Sequence, residues 1–71
     1  MQFTIVAIME SWPLQLELQS PSGREAVALA ADVIVQRRGA TLDPGQLRPG
    51  QQIRILRRTA RSEIAVLEIL D

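Results

Sequence analysis

Leu14-Gln15-Leu16-Glu17-Leu18-Gln19-Ser20-Pro21-Ser22-Gly23 is the stretch on which the fold turns. Its leucines recur at every second residue against Gln15, Glu17 and Gln19, which places all three on one face of a half-buried strand. A helix would scatter them. The run ends in Pro21-Ser22-Gly23, where proline presets the first turn dihedral and glycine accepts the positive φ that sends the chain back. A return strand is therefore expected over residues 24–29. Helical spacing competes here, because Val27, Ala30, Ala31 and Ile34 lie near one helical face and alanine is the best helix former. The strand is preferred, since an isolated helix this short is marginal without packing.

Upstream, residues 3–9 alternate Phe3, Ile5, Ala7 and Met9 on one face with Thr4, Val6 and Ile8 on the other, so both faces of this strand meet protein. Strongly bent first strands of small barrels have this character. Glu10-Ser11-Trp12-Pro13 forms the connecting loop, where proline blocks ladder hydrogen bonding and biases Trp12 toward extended backbone. Downstream, Ala30-Ala31-Asp32 reads as a bulge or corner before a short β-branched strand at 33–36, which stops at Arg37-Arg38-Gly39. Residues 41–47 hold a helical turn: Asp43 caps it, Pro44 suits its first position, and Leu42 and Leu47 reach the core. Arg48-Pro49-Gly50-Gln51 has type II turn composition and launches a strand at 52–57, with Ile53 and Ile55 on one face and Gln52, Arg54 and Leu56 on the other.

The final strand, residues 64–70, is apolar at six of its seven positions. Ala65, Leu67 and Leu70 are expected on one face and Ile64, Val66 and Ile69 on the other, more apolar surface than one small barrel covers. Ala65 and Leu67 are accordingly candidate contacts with a second copy or another protein. The sum is five or six short strands and one short helical turn: an all-β, OB-like or SH3-like barrel, with residues 1–71 forming one domain.

A chain of 71 residues with 46% hydrophobic and 23% charged side chains has the balance of a single folded domain. It contains neither cysteine nor histidine, so disulfides, the usual zinc sites and thiol- or imidazole-based catalysis have no residues to work with. A carboxylate pair would need a shaped cleft that so short a chain rarely encloses. The expectation is a protein that is not an enzyme, takes no cofactor and binds no small molecule. No apolar run reaches the length of a membrane span and no leader is read, so the cytoplasm is the expected compartment.

The net charge is zero, but its distribution is uneven. Seven of the eight basic residues, Arg37, Arg38, Arg48, Arg54, Arg57, Arg58 and Arg61, fall between 37 and 61 against Asp43 alone. Guanidinium is the better bidentate partner for phosphate or carboxylate, so this block suits nucleic acid, an acidic protein partner, or cross-strand pairing with Glu17, Glu25, Glu63 and Glu68. Single-strand binders also place aromatic rings beneath the bases, and only Phe3 and Trp12 are available. Trp12 has two uses: closing one end of the barrel, or anchoring a protein contact from its loop. The four glycines sit where turns are needed and match no nucleotide-binding spacing.

Val33, Val35, Arg37 and Gly39, followed by Leu42, Leu47, Pro49-Gly50, Ile53 and Ile55, and then by Ile64-Ala65-Val66, give a spacing that resembles an uncharacterised family of small bacterial OB-fold-like domains. The resemblance covers nearly the whole chain. It implies a small barrel, with Ala7 at the small position common in the family's first strand. Trp12-Pro13 stands where the family often has a polar turn, and its members often occur in exported proteins. The family has no activity to carry over, so the expected role is a protein-interaction or accessory module, with nucleic-acid binding as the rival.

Overall fold

The computed structural model of the chain describes residues 2–70. Six strands follow one another, β1 (Gln2–Met9), β2 (Gln15–Ser20), β3 (Gly23–Arg37), β4 (Ala40–Leu42), β5 (Gln52–Arg58) and β6 (Ile64–Leu70), with one 3-10 turn, η1 (Pro44–Gln46), between β4 and β5. β1 pairs with β2 and β5, β3 with β2 and β6, and β5 with β6, so the hydrogen bonding closes into a ring. β3 and β6 run parallel; the other ring pairs are antiparallel. The all-β barrel with one short helical turn predicted from the spacing is the observed architecture, and ring closure protects strand edges that would otherwise template association.

Leu16 and Leu18 are fully buried and Leu14 packs against the same cluster, as the alternation requires. β1 departs from strict alternation. Ile5 faces Leu18 but Ala7 faces Glu17, leaving Val6 as an extra residue that inverts the parity of the rest of the strand. Phe3 and Ile5 point inward before the bulge and Ile8 packs on the core after it, while Met9, expected beside Phe3, is exposed.

Residues 24–37 are strand rather than helix, and the two short strands expected there are one bent strand, β3. Its corner lies at Ala30-Ala31-Asp32, as expected, because β3 advances from Leu29 to Ile34 while β6 advances only from Ile64 to Val66. The β3–β4 hairpin has no counterpart in the sequence reading. Arg38 and Gly39 both take positive φ, 51° and 81°, between paired Arg37 and Ala40, the geometry of a two-residue I′ turn. An arginine in place of the usual Asn or Asp hides that signal.

Asp43 caps η1 by accepting from the Gly45 amide at 2.8 Å, and Leu47 is buried behind it. The type II turn is present: Gly50 has φ 94° and the Gln51 amide reaches the Arg48 carbonyl at 3.3 Å. That turn is stitched to β1, since Gly50 donates to the Ile5 carbonyl and Ile5 to the Gln51 carbonyl, at 2.8 and 2.9 Å.

β6 corrects the expectation of an uncovered face. It lies between β3 and β5, where Leu67 is 0% and Ala65 7% exposed, both inside the barrel. Ile64 and Ile69 are buried with them, on the inner side rather than opposite, and only Val66 and Leu70 remain half-exposed among its apolar residues. The register irregularity opposite Arg57 and Arg58 is what allows adjacent Ile64 and Ala65 both to be buried. Ala65 and Leu67 therefore present no surface to a partner; the chain itself uses their apolar character.

Candidate functional site

The loop between β1 and β2 is pinned at its base and open at its tip. Ser11 donates from its amide to the Met9 carbonyl and from its hydroxyl to the Pro13 carbonyl, both at 2.9 Å. The Leu29 amide donates to the Leu14 carbonyl at 2.8 Å, which fastens the loop's far end to β3. Leu14 packs on the core, and Trp12, next to a cis Trp12–Pro13 peptide, stands 82% exposed. Trp12 thus does not close the barrel; Ile8, Leu14 and Leu47 fill that region instead. An indole offers roughly 200 Å² of burial, so leaving 82% of this one in water forgoes about 4 kcal/mol at about 25 cal/mol per Å².

Beneath Trp12 and Pro13 lies an apolar crevice of about 120 Å³, walled by Leu14, by Leu29, Ala30, Ala31 and Val33 of β3, and by Pro44 of η1. Each wall has a cause already described: the base of the pinned loop, the corner in β3, and the capped turn that starts at Pro44. Leu14 and Pro44 also border a wider cleft that continues past Ile8, Glu10 and Arg48. The small residues Ala30 and Ala31 and the two prolines leave the space open, a role that their sequence pattern, read as turn and corner chemistry, does not announce.

The arginine block is spread over β3, β5 and the loops beside them. Gln2, Arg54, Glu68 and Gln36 form one row across β1, β5, β6 and β3, and the strand directions put Arg37 and Arg38 on one side of it and Arg57, Arg58 and Arg61 on the other. Arg54 pairs with Glu68 at 3.6 Å and Arg58 with Glu25 at 3.7 Å; Arg24, outside the block, pairs with Glu17 at 3.5 Å. Glu63 accepts from Thr59 instead of from an arginine. The Arg48 guanidinium donates to the Gly45 and Leu47 carbonyls. Arg57 and Arg61 carry no side-chain ion pair among the described residues. Cross-strand pairing thus accounts for part of the block.

A second, open cleft of about 630 Å³ lies where β1 leaves β2 to join β5, and Gln2, Thr4, Gln19, Ser20, Ser22 and Gln52 border it without a charged group. No polar or charged residue is buried among the described residues, no group of three acidic side chains there is placed to hold a metal ion, and no helix there is long and apolar enough to cross a membrane. Compared with family models, curated proteins and solved structures, the chain gives no significant match.

Proposed function

We propose that this chain is a non-enzymatic protein-binding module, an OB-like barrel that engages its partner through Trp12. The observation that carries the reading is a tryptophan 82% exposed over an apolar crevice. Buried tryptophans dominate the energetics of protein contacts, and this one is held in place by a pinned loop, so little ordering remains to be done on binding. With the short β4 set aside, the ring order β1-β2-β3-β6-β5 agrees with an OB-like barrel, in keeping with the resemblance to small bacterial OB-fold-like domains. The lack of cysteine suits a cytoplasmic role, since small secreted domains tend to be disulfide-dense.

Nucleic-acid binding is the second reading, favoured by Arg57 and Arg61, which have no ion pair among the described residues. Against it stands the single exposed aromatic ring, since stacking on such rings supplies about 1–3 kcal/mol per base in single-strand binders. One experiment separates the two. Tagged wild-type chain, Trp12→Ser and the triple variant Arg57→Ala, Arg58→Ala, Arg61→Ala are recovered from the native host at low and high salt. Loss of a specific protein partner in Trp12→Ser alone supports the proposal. A nuclease- and salt-sensitive association lost only in the triple variant overturns it in favour of nucleic acid.

A further inference from the structure

We infer that the crevice under Trp12 takes a basic peptide segment, with one aliphatic side chain in the crevice and a neighbouring lysine or arginine over the indole face. This rests on the reading of Trp12 as a protein contact and names the chemistry of that partner.

Size sets the first limit. A space of about 120 Å³ between aliphatic walls suits one branched aliphatic side chain. The crevice walls themselves carry no charge, so selection between partners falls to what surrounds them.

The surroundings are acidic in a way that the rest of the barrel is not. On the barrel wall Glu17, Glu25 and Glu68 each lie within 3.7 Å of an arginine. Close to the crevice in sequence, Glu10 stands two residues before Trp12, Asp32 lies between Ala31 and Val33, and Asp43 precedes Pro44; all three are exposed. Neither Glu10 nor Asp32 has an ion pair or side-chain hydrogen bond among the described residues, and the Asp43 carboxylate holds only the Gly45 amide. Arg48, the cation that shares the wider cleft, is turned onto backbone carbonyls. Three exposed carboxylates without a cationic partner among the described residues thus lie within two residues of positions that line the crevice, and the π face of the exposed indole itself attracts lysine and arginine. An acidic peptide or a phosphate backbone meets like charge at the same place.

The chain has one tryptophan and no tyrosine, so its emission reports on Trp12 alone. The full chain is titrated with three acetylated, amidated pentapeptides: Arg-Lys-Leu-Lys-Arg, the same peptide with alanine for leucine, and Glu-Glu-Leu-Glu-Glu. The expected result is a saturable emission change with the first, at least about fivefold weaker binding of the second, and none with the third. In a dye-labelled anisotropy format, Trp12→Ala is expected to weaken the first peptide about tenfold or more, and the Glu10→Gln, Asp32→Asn double variant about fivefold. Equal binding of the acidic peptide, or no effect of the double variant, overturns the basic-partner assignment while leaving Trp12 a protein contact. No response to any peptide also overturns it, and the co-purification with Trp12→Ser then judges the broader reading separately. A shift in Trp12 emission on concentrating the chain alone overturns it in favour of a second copy as the occupant.

Discussion

Alanine at Gly50 is expected to destabilise the barrel by about 1–2 kcal/mol, while alanine at Gly45 changes its stability by less than about 0.5 kcal/mol. At Gly50 an added Cβ would meet nothing within 4 Å, so packing contributes no penalty and the whole cost is the backbone at φ 94°. Relaxing that dihedral is blocked, because the Gly50 amide is tied to the Ile5 carbonyl and the Gln51 carbonyl accepts from the Ile5 amide. Gly45 has no positive φ; a Cβ there lies 3.3 Å from the Asp43 carboxylate oxygen, an exposed group able to yield by a few tenths of an ångström. Urea titrations of both variants at matched m-value measure the difference, and thermal melts should show Gly50→Ala lower by roughly 4–16 °C for a domain of this size. The chain is short enough for chemical synthesis, so D-alanine can be placed at position 50, where its preference for positive φ should restore stability to at least that of glycine. Equal losses for the two L-alanine variants, or a D-alanine chain no better than its L counterpart, would refute the strain argument.

Leu67→Ala should cost about 2–5 kcal/mol by equilibrium unfolding, because Leu67 is fully buried; Leu67→Glu is expected to unfold the chain rather than to release a monomer from an oligomer. Asp43→Ala should cost about 0.5–2 kcal/mol through loss of the cap on η1, again by urea titration. A double-mutant cycle on Arg54 and Glu68, about half and one third exposed, should give a coupling below about 1 kcal/mol that shrinks in high salt. Anisotropy with a generic single-stranded oligonucleotide should give binding weaker than about micromolar at physiological salt.

The barrel is legible in the sequence because its signals are local and redundant. The leucine alternation in β2, the Pro21-Ser22-Gly23 turn, Asp43-Pro44 and Pro49-Gly50 each specify one conformation, and these choices agree with one another. The misreadings share another cause: they depend on a register that only the neighbouring strand sets. Nothing in residues 3–9 announces that Val6 is extra, yet that residue decides whether Ile8 or Met9 points inward. In β6 the inward set is Leu67 and Ile69, two residues apart, joined by both Ile64 and Ala65 where the pairing with β5 slips, and only that slip is hidden from the sequence. The exposure of Trp12 is open in the sequence for a related reason. A tryptophan beside proline serves equally to close an end or to stand clear of it, and the outcome rests on Ile8, Leu14 and Leu47, which come from three separate segments.

The parallel contact between β3 and β6 dictates how the chain must fold. The β1–β2, β2–β3, β3–β4 and β5–β6 pairs join strands that are close in sequence, and each can form as a hairpin within microseconds. Leu29 meeting Ile64 and Ile34 meeting Val66 has no such shortcut, because more than thirty residues must be gathered before the first of those hydrogen bonds rewards the search. The rate-limiting event should therefore be the meeting of a preformed β1–β2–β3 meander with the β5–β6 hairpin, giving relaxation in milliseconds to seconds despite the chain's small size. Substitutions at Val35 or Leu67, whose residues face each other across that seam, should then act mainly on the folding arm of a chevron, whereas Arg37–Ala40 substitutions at the outlying β4 hairpin should act mainly on the unfolding arm.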